Sequence, residues 1–264
     1  MTSTRFERHV AIVTGGASGI GAATVSEFAD EGASIVFLDR NRAAGEEFVR
    51  KLEEGGLHVR FVAGDVAKPV DCRRAVKEAL SAFDRLDFVV NNAVSPVIKG
   101  VSGTVQDWQR SLGVNLVGAA NMAQAALEPM KGSGRGAIVN VASVSAFVAQ
   151  PNHWTYNAAK GGLVTLTKCM ALDFSEWGIR VNSVSPGWIW TPASAETVDG
   201  NRQSLDRMVG PFHMLGRCGE AREVARTILF LCSDDASFIT GTDLRVDGGY
   251  LAMPAEGLFL KSLR

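Results

Sequence analysis

Short apolar runs alternate along the chain with longer stretches of helical period. His9–Thr14, Ala33–Leu38, Leu57–Ala63, Leu86–Asn91, Gly136–Val141, Arg180–Ser185 and Asp243–Val246 predict strands. Several are almost continuously apolar, as strands buried on both faces are. Between them, Ala22–Glu31, Ala43–Glu54, Val70–Phe83, Trp108–Met130, Trp154–Glu176 and Glu220–Ser233 carry apolar residues three and four apart and predict amphipathic helices. Regular strand–helix alternation implies right-handed crossovers, hence an α/β fold: a doubly wound parallel sheet of about seven strands with helices on both faces. No linker, repeat or low-complexity tract interrupts the rhythm, so a single domain over residues 1–264 is expected, with its core at about 7–250. Two segments fall outside it. Residues 188–218, with prolines at 192 and 211 and mixed polarity, read as an irregular, lid-like insertion, and 251–264 as a tail.

Composition narrows the class. Of 264 residues, 46% are hydrophobic and 21% charged, which excludes general disorder. A net charge of −1 without a long basic run argues against nucleic acid as a partner. Cys72, Cys169, Cys218 and Cys232 form no CxxC pair, and His9, His58, His153 and His213 lie at no metal-ligand spacing. The expectation is a reduced, cytoplasmic protein with no metal site. No apolar signal core and no run near 18 apolar residues predicts export or a membrane span.

Thr14-Gly15-Gly16-Ala17-Ser18-Gly19-Ile20-Gly21 follows the first predicted strand and opens the first predicted helix. Glycines at 15, 19 and 21 permit a tight turn, close approach to a pyrophosphate and close helix packing, while the helix N-terminus offers N–H groups to phosphate. Three glycines in a loop are weak evidence alone; strand before, helix after and an acid at the end of strand two strengthen them. That acid is Asp39, 18 positions past Gly21, placed to accept from the adenosine ribose hydroxyls. A carboxylate there repels a 2′-phosphate and favours NAD over NADP, against which Arg40 and Arg42 work.

Tyr156 and Lys160 stand four apart at the start of a predicted helix and so share a face. A nearby ammonium favours the phenolate, lowering a pKa that is ordinarily near 10 and making the phenol an acid–base group. An ordinary helix-surface pair is the competing reading.

Together, Thr14-Gly-x-x-x-Gly-x-Gly, Asn91-Asn92-Ala93, Ser143, Tyr156-x-x-x-Lys160 and Pro186-Gly187 resemble, in order and spacing, the short-chain dehydrogenase/reductase family over roughly residues 7–250. The resemblance implies a Rossmann-type fold and an NAD(H)-dependent oxidoreductase. It assigns Tyr156 as proton donor or acceptor to the reacting oxygen and Ser143 as a hydrogen-bond partner of that oxygen. Lys160 then holds the nicotinamide ribose and tunes the phenol, and Asn115 supports a water relay to the lysine. It extends the cofactor site from Gly15, Ser18, Gly19, Ile20, Gly21 and Asp39 to Asp65, Val66, Asn92 and Ala93, and to Pro186, Gly187, Ile189 and Thr191. For each a plainer reading exists: a cap hydroxyl for Ser143, a helix asparagine for Asn115, a turn residue for Asp65, a strand end for Pro186-Gly187. Val94 departs from the pattern, standing where the family carries glycine, so the backbone there is expected to avoid positive φ.

Substrate identity is less legible. Ser145, Gln150, His153 and Trp188, with Trp154 and Trp190, are the candidates to face the nicotinamide. No arginine cluster precedes Arg202 in that region, so a strongly anionic substrate is not demanded. The expected substrate is a small or medium secondary alcohol or ketone: a polyol, sugar derivative, cyclic alcohol or hydroxy acid. Apolar residues in the tail, Leu258-Phe259-Leu260, resemble those that related enzymes bury at a subunit boundary and imply a homotetramer. Two rivals are a catalytically weak dinucleotide-binding regulator, which has no need of Ser143, Tyr156 and Lys160, and an extended epimerase or dehydratase, which carries a larger C-terminal portion.

Overall fold

In the computed structural model, which describes residues 4–132, 134–254 and 256–258, seven parallel strands build the central sheet. They are β1 (Val10–Thr14), β2 (Ser34–Asp39), β3 (Val59–Ala63), β4 (Phe88–Asn91), β5 (Ala137–Val141), β6 (Arg180–Pro186) and, after a two-residue pair β7 (Ile189–Trp190) and β8 (Gly219–Glu220), β9 (Asp243–Val246). Their spatial order is β3-β2-β1-β4-β5-β6-β9. Side chains alternate between two separate cores. Ala11, Val13, Ile35, Phe37, Phe88 and Val90 enter one, and Val10, Ile12, Val36, Leu38 and Val89 enter the other. A strand sandwiched in this way is largely apolar on both faces, which is why most of the runs were visible in sequence, although β5 and β6 also bury Asn140, Asn182, Ser183 and Ser185.

The first core is covered by α1 (Gly19–Asp30), α2 (Arg42–Glu54) and α9 (Ala221–Cys232), with Phe28, Phe48, Ile228 and Leu229 among the contributing side chains. On the second lie α3 (Pro69–Phe83), α5 (Gly118–Lys131) and α6 (Trp154–Phe174), through Ala75, Met122, Met130 and Met170. The helix expected over Trp108–Met130 is interrupted: α4 (Val105–Leu112) runs into a π-turn at Gly113–Val117, and α5 follows. No described helix is long and apolar enough to cross a membrane.

Residues 188–218 are not irregular, as expected, but contain α7 (Pro192–Glu196) and α8 (Arg202–Val209) around a small cluster of Leu205, Val209 and Cys218. Of the predicted apolar tail residues, Leu258 is half-buried, while Phe259 and Leu260 lie outside the described residues.

The parallel edge is tied down by a cation. Arg180 at the start of β6 donates to the carbonyls of Leu231 (2.7 Å), Ser233 (3.1 Å) and Cys232 (3.3 Å), which the end of α9 cannot pair internally, and to that of Ile239 (3.4 Å) in the connection to β9. Arg180→Met leaves these half-buried carbonyls short of donors. A loss of about 2–3 kcal/mol is expected in urea unfolding; a loss below about 0.5 kcal/mol would mean that water replaces the guanidinium at no cost.

Candidate active site

Strand order reverses between β1 and β4, because β1 pairs with β2 on one side and β4 on the other. The loops leaving the carboxyl ends of β1 and β4 therefore diverge and open a crevice, the usual ligand position in such sheets. A cleft of about 720 Å³ lies there. Its wall brings together Gly15, Ser18, Gly19, Ile20, Asp39, Asp65, Val66, Asn92, Ala93 and Thr191, ten of the residues expected from sequence to bind the dinucleotide.

The glycines of the loop have separate causes. Gly15 has φ +65°, and a Cβ there would lie 2.8 Å from the Ala93 Cα. A Cβ on Gly21 would collide with the Gly15 carbonyl. Gly19, φ +56°, faces Thr191, whose Cγ2 lies 3.3 Å from where a Cβ would stand. Ser18 caps α1 without a side-chain hydrogen bond, so the first-turn N–H groups of α1 keep their capacity for an anion. The loop is stapled to β4. The Thr14 hydroxyl accepts from Asn92 N and Ala93 N, 3.0 Å each, and the Asn92 amide donates to the Thr14 and Gly15 carbonyls, also 3.0 Å each.

At the other end of the loop, Asp39 accepts from Ala17 N (3.1 Å) and Asn41 N (2.9 Å), bracing the glycine loop while its remaining lone pairs face the cleft. Arg40 also lines the cleft, whereas Arg42 turns along α2 to Glu46, 3.3 Å away. The Asp65 carboxylate accepts from Ala67 N at 2.9 Å, the turn role its plainer reading gave, at the cleft wall. Val94 is exposed and lacks positive φ; the described non-glycine residues with positive φ are Arg8, Asp84, Asn152 and Asp199.

Ser143 follows β5 in extended conformation, and its hydroxyl accepts from Ser145 N at 3.1 Å. Tyr156 and Lys160 project from the first two turns of α6, with the Lys160 ammonium 5.7 Å from the phenol ring centroid. Lys160 is buried and donates to the Val141 carbonyl at 2.7 Å. Burial brings its pKa from 10.5 down to about 8. The expectation that the ammonium lowers the phenol's pKa is overridden in this arrangement: burial pushes Tyr156 above 10.0, opposed by a hydrogen bond with the Ser143 side chain. Desolvation penalises charge on both partners, so each leans to its neutral form.

Asn115 sits in the π-turn, buried. Its amide donates to the Ser95 carbonyl (3.0 Å) and the Ser111 hydroxyl (3.3 Å), and its oxygen accepts from Ser95 N (2.8 Å). The side chain thus stitches the π-turn to the loop after β4, with no amide hydrogen left for a water relay.

Pro186 ends β6, and Gly187 is held tight: a Cβ would lie 2.8 Å from His213 Nε2. The Ile189 side chain belongs to the core, leaving its main chain as the part available to a ligand, and Thr191 caps α7. Trp188 and Trp190, candidates for the substrate pocket, pack on Leu205, Val209 and Cys218. Ser145, Gln150 and His153 lie on the stretch from Ser143 to α6, where Ser145 Oγ donates to Gln150 Oε1 at 2.7 Å. Sequence reasoning missed Pro96, Gln109, Arg110 and Pro192 on the cleft wall. No motif marks any of the four, and the two on α4 stand just before the π-turn.

The sequence model of a family described as enoyl-(acyl carrier protein) reductase matches residues 15–251. Cyclopentanol dehydrogenase of Comamonas sp. (strain NCIMB 9872) is 38% identical over 249 residues, 94% of this chain and 99% of that protein. L-fucose dehydrogenase of Mus musculus is 40% identical over 252 residues, 93% of this chain and 89% of that one. Cyclohexanol dehydrogenase of Acinetobacter sp. (strain SE19) is 37% identical over 252 residues, 94% and 97% of the two chains. The crystal structure of gox2181 superposes with a TM-score of 0.86 at 30% identity, covering 94% of this chain and 98% of that one.

The Lys160 environment has a thermodynamic signature. Below pH 8 both folded and unfolded chains hold the proton, and folding bears the full cost of burying the charge, at most about 3 kcal/mol for a pKa lowered from 10.5 to about 8. Between about 8 and 10.5 the folded chain releases the proton while the unfolded one keeps it, so stability rises with pH. Lys160→Met removes that term and leaves the Val141 carbonyl unpaired, costing about 1 kcal/mol. Chemical denaturation of the cofactor-free protein should find the variant more stable by about 2 kcal/mol at pH 7, with the advantage shrinking above pH 8. A pH-independent difference contradicts the buried-cation assignment.

Proposed function

The chain belongs to the short-chain dehydrogenase/reductase family, and we propose that it is an NAD(H)-dependent oxidoreductase interconverting a secondary alcohol, cyclic or sugar-like, with its ketone. The observation that carries this reading is the meeting of the Ser143 and Tyr156 hydroxyls over the buried Lys160, on the same chain as a glycine-lined cleft. Relatives that share nearly the whole chain oxidise cyclopentanol, cyclohexanol and L-fucose by their names, which supports alcohols and sugars as the substrate class.

The cleft fits a nicotinamide dinucleotide: α1 offers uncapped N–H groups to a pyrophosphate, and side chains are sterically excluded at Gly15 and Gly21. Asp39 would take the adenosine ribose hydroxyls, Asp65 and Val66 the adenine, and Asn92 and Ala93 the neighbouring ribose. Pro186, Gly187, Ile189 and Thr191 would meet the carboxamide end, with segment 188–218 forming that wall through Thr191 against Gly19. A carboxylate at Asp39 disfavours a 2′-phosphate, and with Arg42 turned to Glu46 only Arg40 opposes it, so NAD is preferred to NADP.

When bound, the dinucleotide supplies the hydride acceptor for oxidation and the donor for reduction. Tyr156 transfers the hydroxyl proton, and Ser143 donates a hydrogen bond to the same oxygen. A phenol held above its ordinary pKa stays protonated, so it carries the proton that a ketone must receive, as a weaker acid than free tyrosine. Oxidation requires it to take one, so cation charge arriving nearby must draw it down. Reduction should therefore fall, and oxidation rise, with pH. Asn115, its amide committed to Ser95 and Ser111, enters through the loop it holds; a relay to Lys160 would run along main-chain carbonyls of the π-turn. The same reading places one domain in the cytoplasm as a homotetramer. The free cysteines and the exposed apolar Leu172 and Phe238 support it.

A screen of cyclic alcohols, sugars and ketones with NAD and NADP tests the reading: NADH should form with at least one secondary alcohol, faster than NADPH. Tyr156→Phe should lower kcat by about 10²–10⁴ while NADH affinity stays within about threefold. No reduced cofactor from any alcohol, or full turnover by the phenylalanine variant, overturns it. Light scattering should give a mass near four chains; a monomer at micromolar concentration overturns the assembly.

A further inference from the structure

We propose that His213 is a positioning residue for the nicotinamide end of the cofactor, bracing the wall Pro186–Thr191 from behind without touching the ligand. This rests on the dinucleotide reading above and gives a role to a buried residue that no motif of the sequence marks.

His213 follows the turn Gly210–Phe212 after α8 and is 1% exposed. Its ring lies where the exits of β6 and β9 come together. A Cβ on Gly187 would stand 2.8 Å from Nε2, and one on Gly248 would stand 3.5 Å from Cδ2. The Tyr250 ring packs beside it, with centroids 5.4 Å apart. A polar group so enclosed cannot exchange a lost partner for water at no cost.

The two ring nitrogens have different partners, and together these fix one tautomer. Nδ1 lies 2.9 Å from the Val209 carbonyl, which only accepts, so Nδ1 carries the proton. Nε2 is then the lone pair that accepts from the Trp188 N–H at 3.3 Å. The neighbouring main-chain groups are held by backbone: the Trp188 carbonyl accepts from Gly219 N at 2.8 Å, and Gly187 N donates to the Val246 carbonyl at 3.1 Å. A trans peptide sends its N–H and C=O opposite ways. Tying the Trp188 N–H to the imidazole therefore fixes the direction in which the Gly187 carbonyl points, away from His213.

On the dinucleotide reading, Pro186, Gly187, Ile189 and Thr191 meet the carboxamide end. Gly187 has no side chain to offer and Ile189 turns its own into the core, so recognition there falls to the main chain. Main-chain recognition depends on peptide orientation, and the side chain that sets the orientation is His213. The adenosine half, by contrast, lies over the glycine loop, Asp39 and Asp65 on the cleft wall. Loss of the Nε2 acceptor should therefore weaken one half of the ligand and spare the other.

The test compares dissociation constants for NADH and for ADP-ribose, which lacks the nicotinamide, by isothermal titration calorimetry. An asparagine amide reaches the place of Nδ1 and a glutamine amide that of Nε2, so two substitutions separate the ring's two bonds. His213→Gln keeps an acceptor for the Trp188 N–H and should hold the ratio of the two constants within about threefold of wild type. His213→Asn keeps a donor for Val209 but leaves the Trp188 N–H unpaired. It should weaken NADH about tenfold or more while ADP-ribose stays within about threefold. A histidine that merely anchored α8 would show the reverse, with asparagine the better replacement. Equal ratios in the two variants, parallel loss of both ligands, or a wild type that binds NADH no more tightly than ADP-ribose overturns the positioning role and leaves the dinucleotide reading standing. A wild type that binds neither ligand overturns both.

Discussion

The Thr14 hydroxyl and the Asn92 amide are what keep the crevice usable. Strand reversal alone would leave two loops parting from the sheet with unpaired main-chain groups at their roots. Five hydrogen bonds between the ends of β1 and β4, one of them from Thr14 Oγ to the Val90 carbonyl at 3.3 Å, consume those groups and fix the width of the opening. The glycine loop starts from that staple, Asp39 braces its far side through Ala17 N, and Asn115 holds the continuation of the β4 loop at Ser95. Each of these polar side chains serves the backbone first, and the surface left over is the site.

At the other end, the governing effect is desolvation. A lysine and a tyrosine four residues apart on an exposed helix would behave as the Coulomb argument says, with the cation drawing the phenol down. Once buried, charge on either group is penalised more than their attraction rewards it, so Lys160 releases its proton at about 8 instead of 10.5 and Tyr156 keeps its own to higher pH. Such a pair responds strongly to a third charge brought near it.

Most of the sheet was legible because its strands are buried on both faces, so hydrophobicity reports them without periodicity. The glycine loop and Tyr156–Lys160 were legible because sterics and helix pitch fix their spacing. What stayed hidden depends on tertiary contact. The five residues of α7 and eight of α8 are too short to show a period, and their core is only Leu205, Val209 and Cys218. The separate fates of Arg40 and Arg42 follow from their places: Arg40 lies in the bend between β2 and α2 at the cleft, while Arg42 opens α2 and reaches Glu46 one turn along it. The sign of the Tyr156 shift required knowing the depth of burial, and the π-turn adds too little to the pattern over Trp108–Met130 to be seen in it.

That extra residue has a geometric consequence. Each residue of an α-helix advances the azimuth by about 100°, so one inserted residue re-indexes every side chain downstream of it. Upstream, α4 aims Gln109 and Arg110 at the cleft; downstream, α5 sets Met122, Ala126 and Met130 against the sheet and α3. A seamless rod could satisfy only one of these facings. The insertion acts as a clutch between two rotational settings of the same shaft, and the residue at the coupling is Asn115.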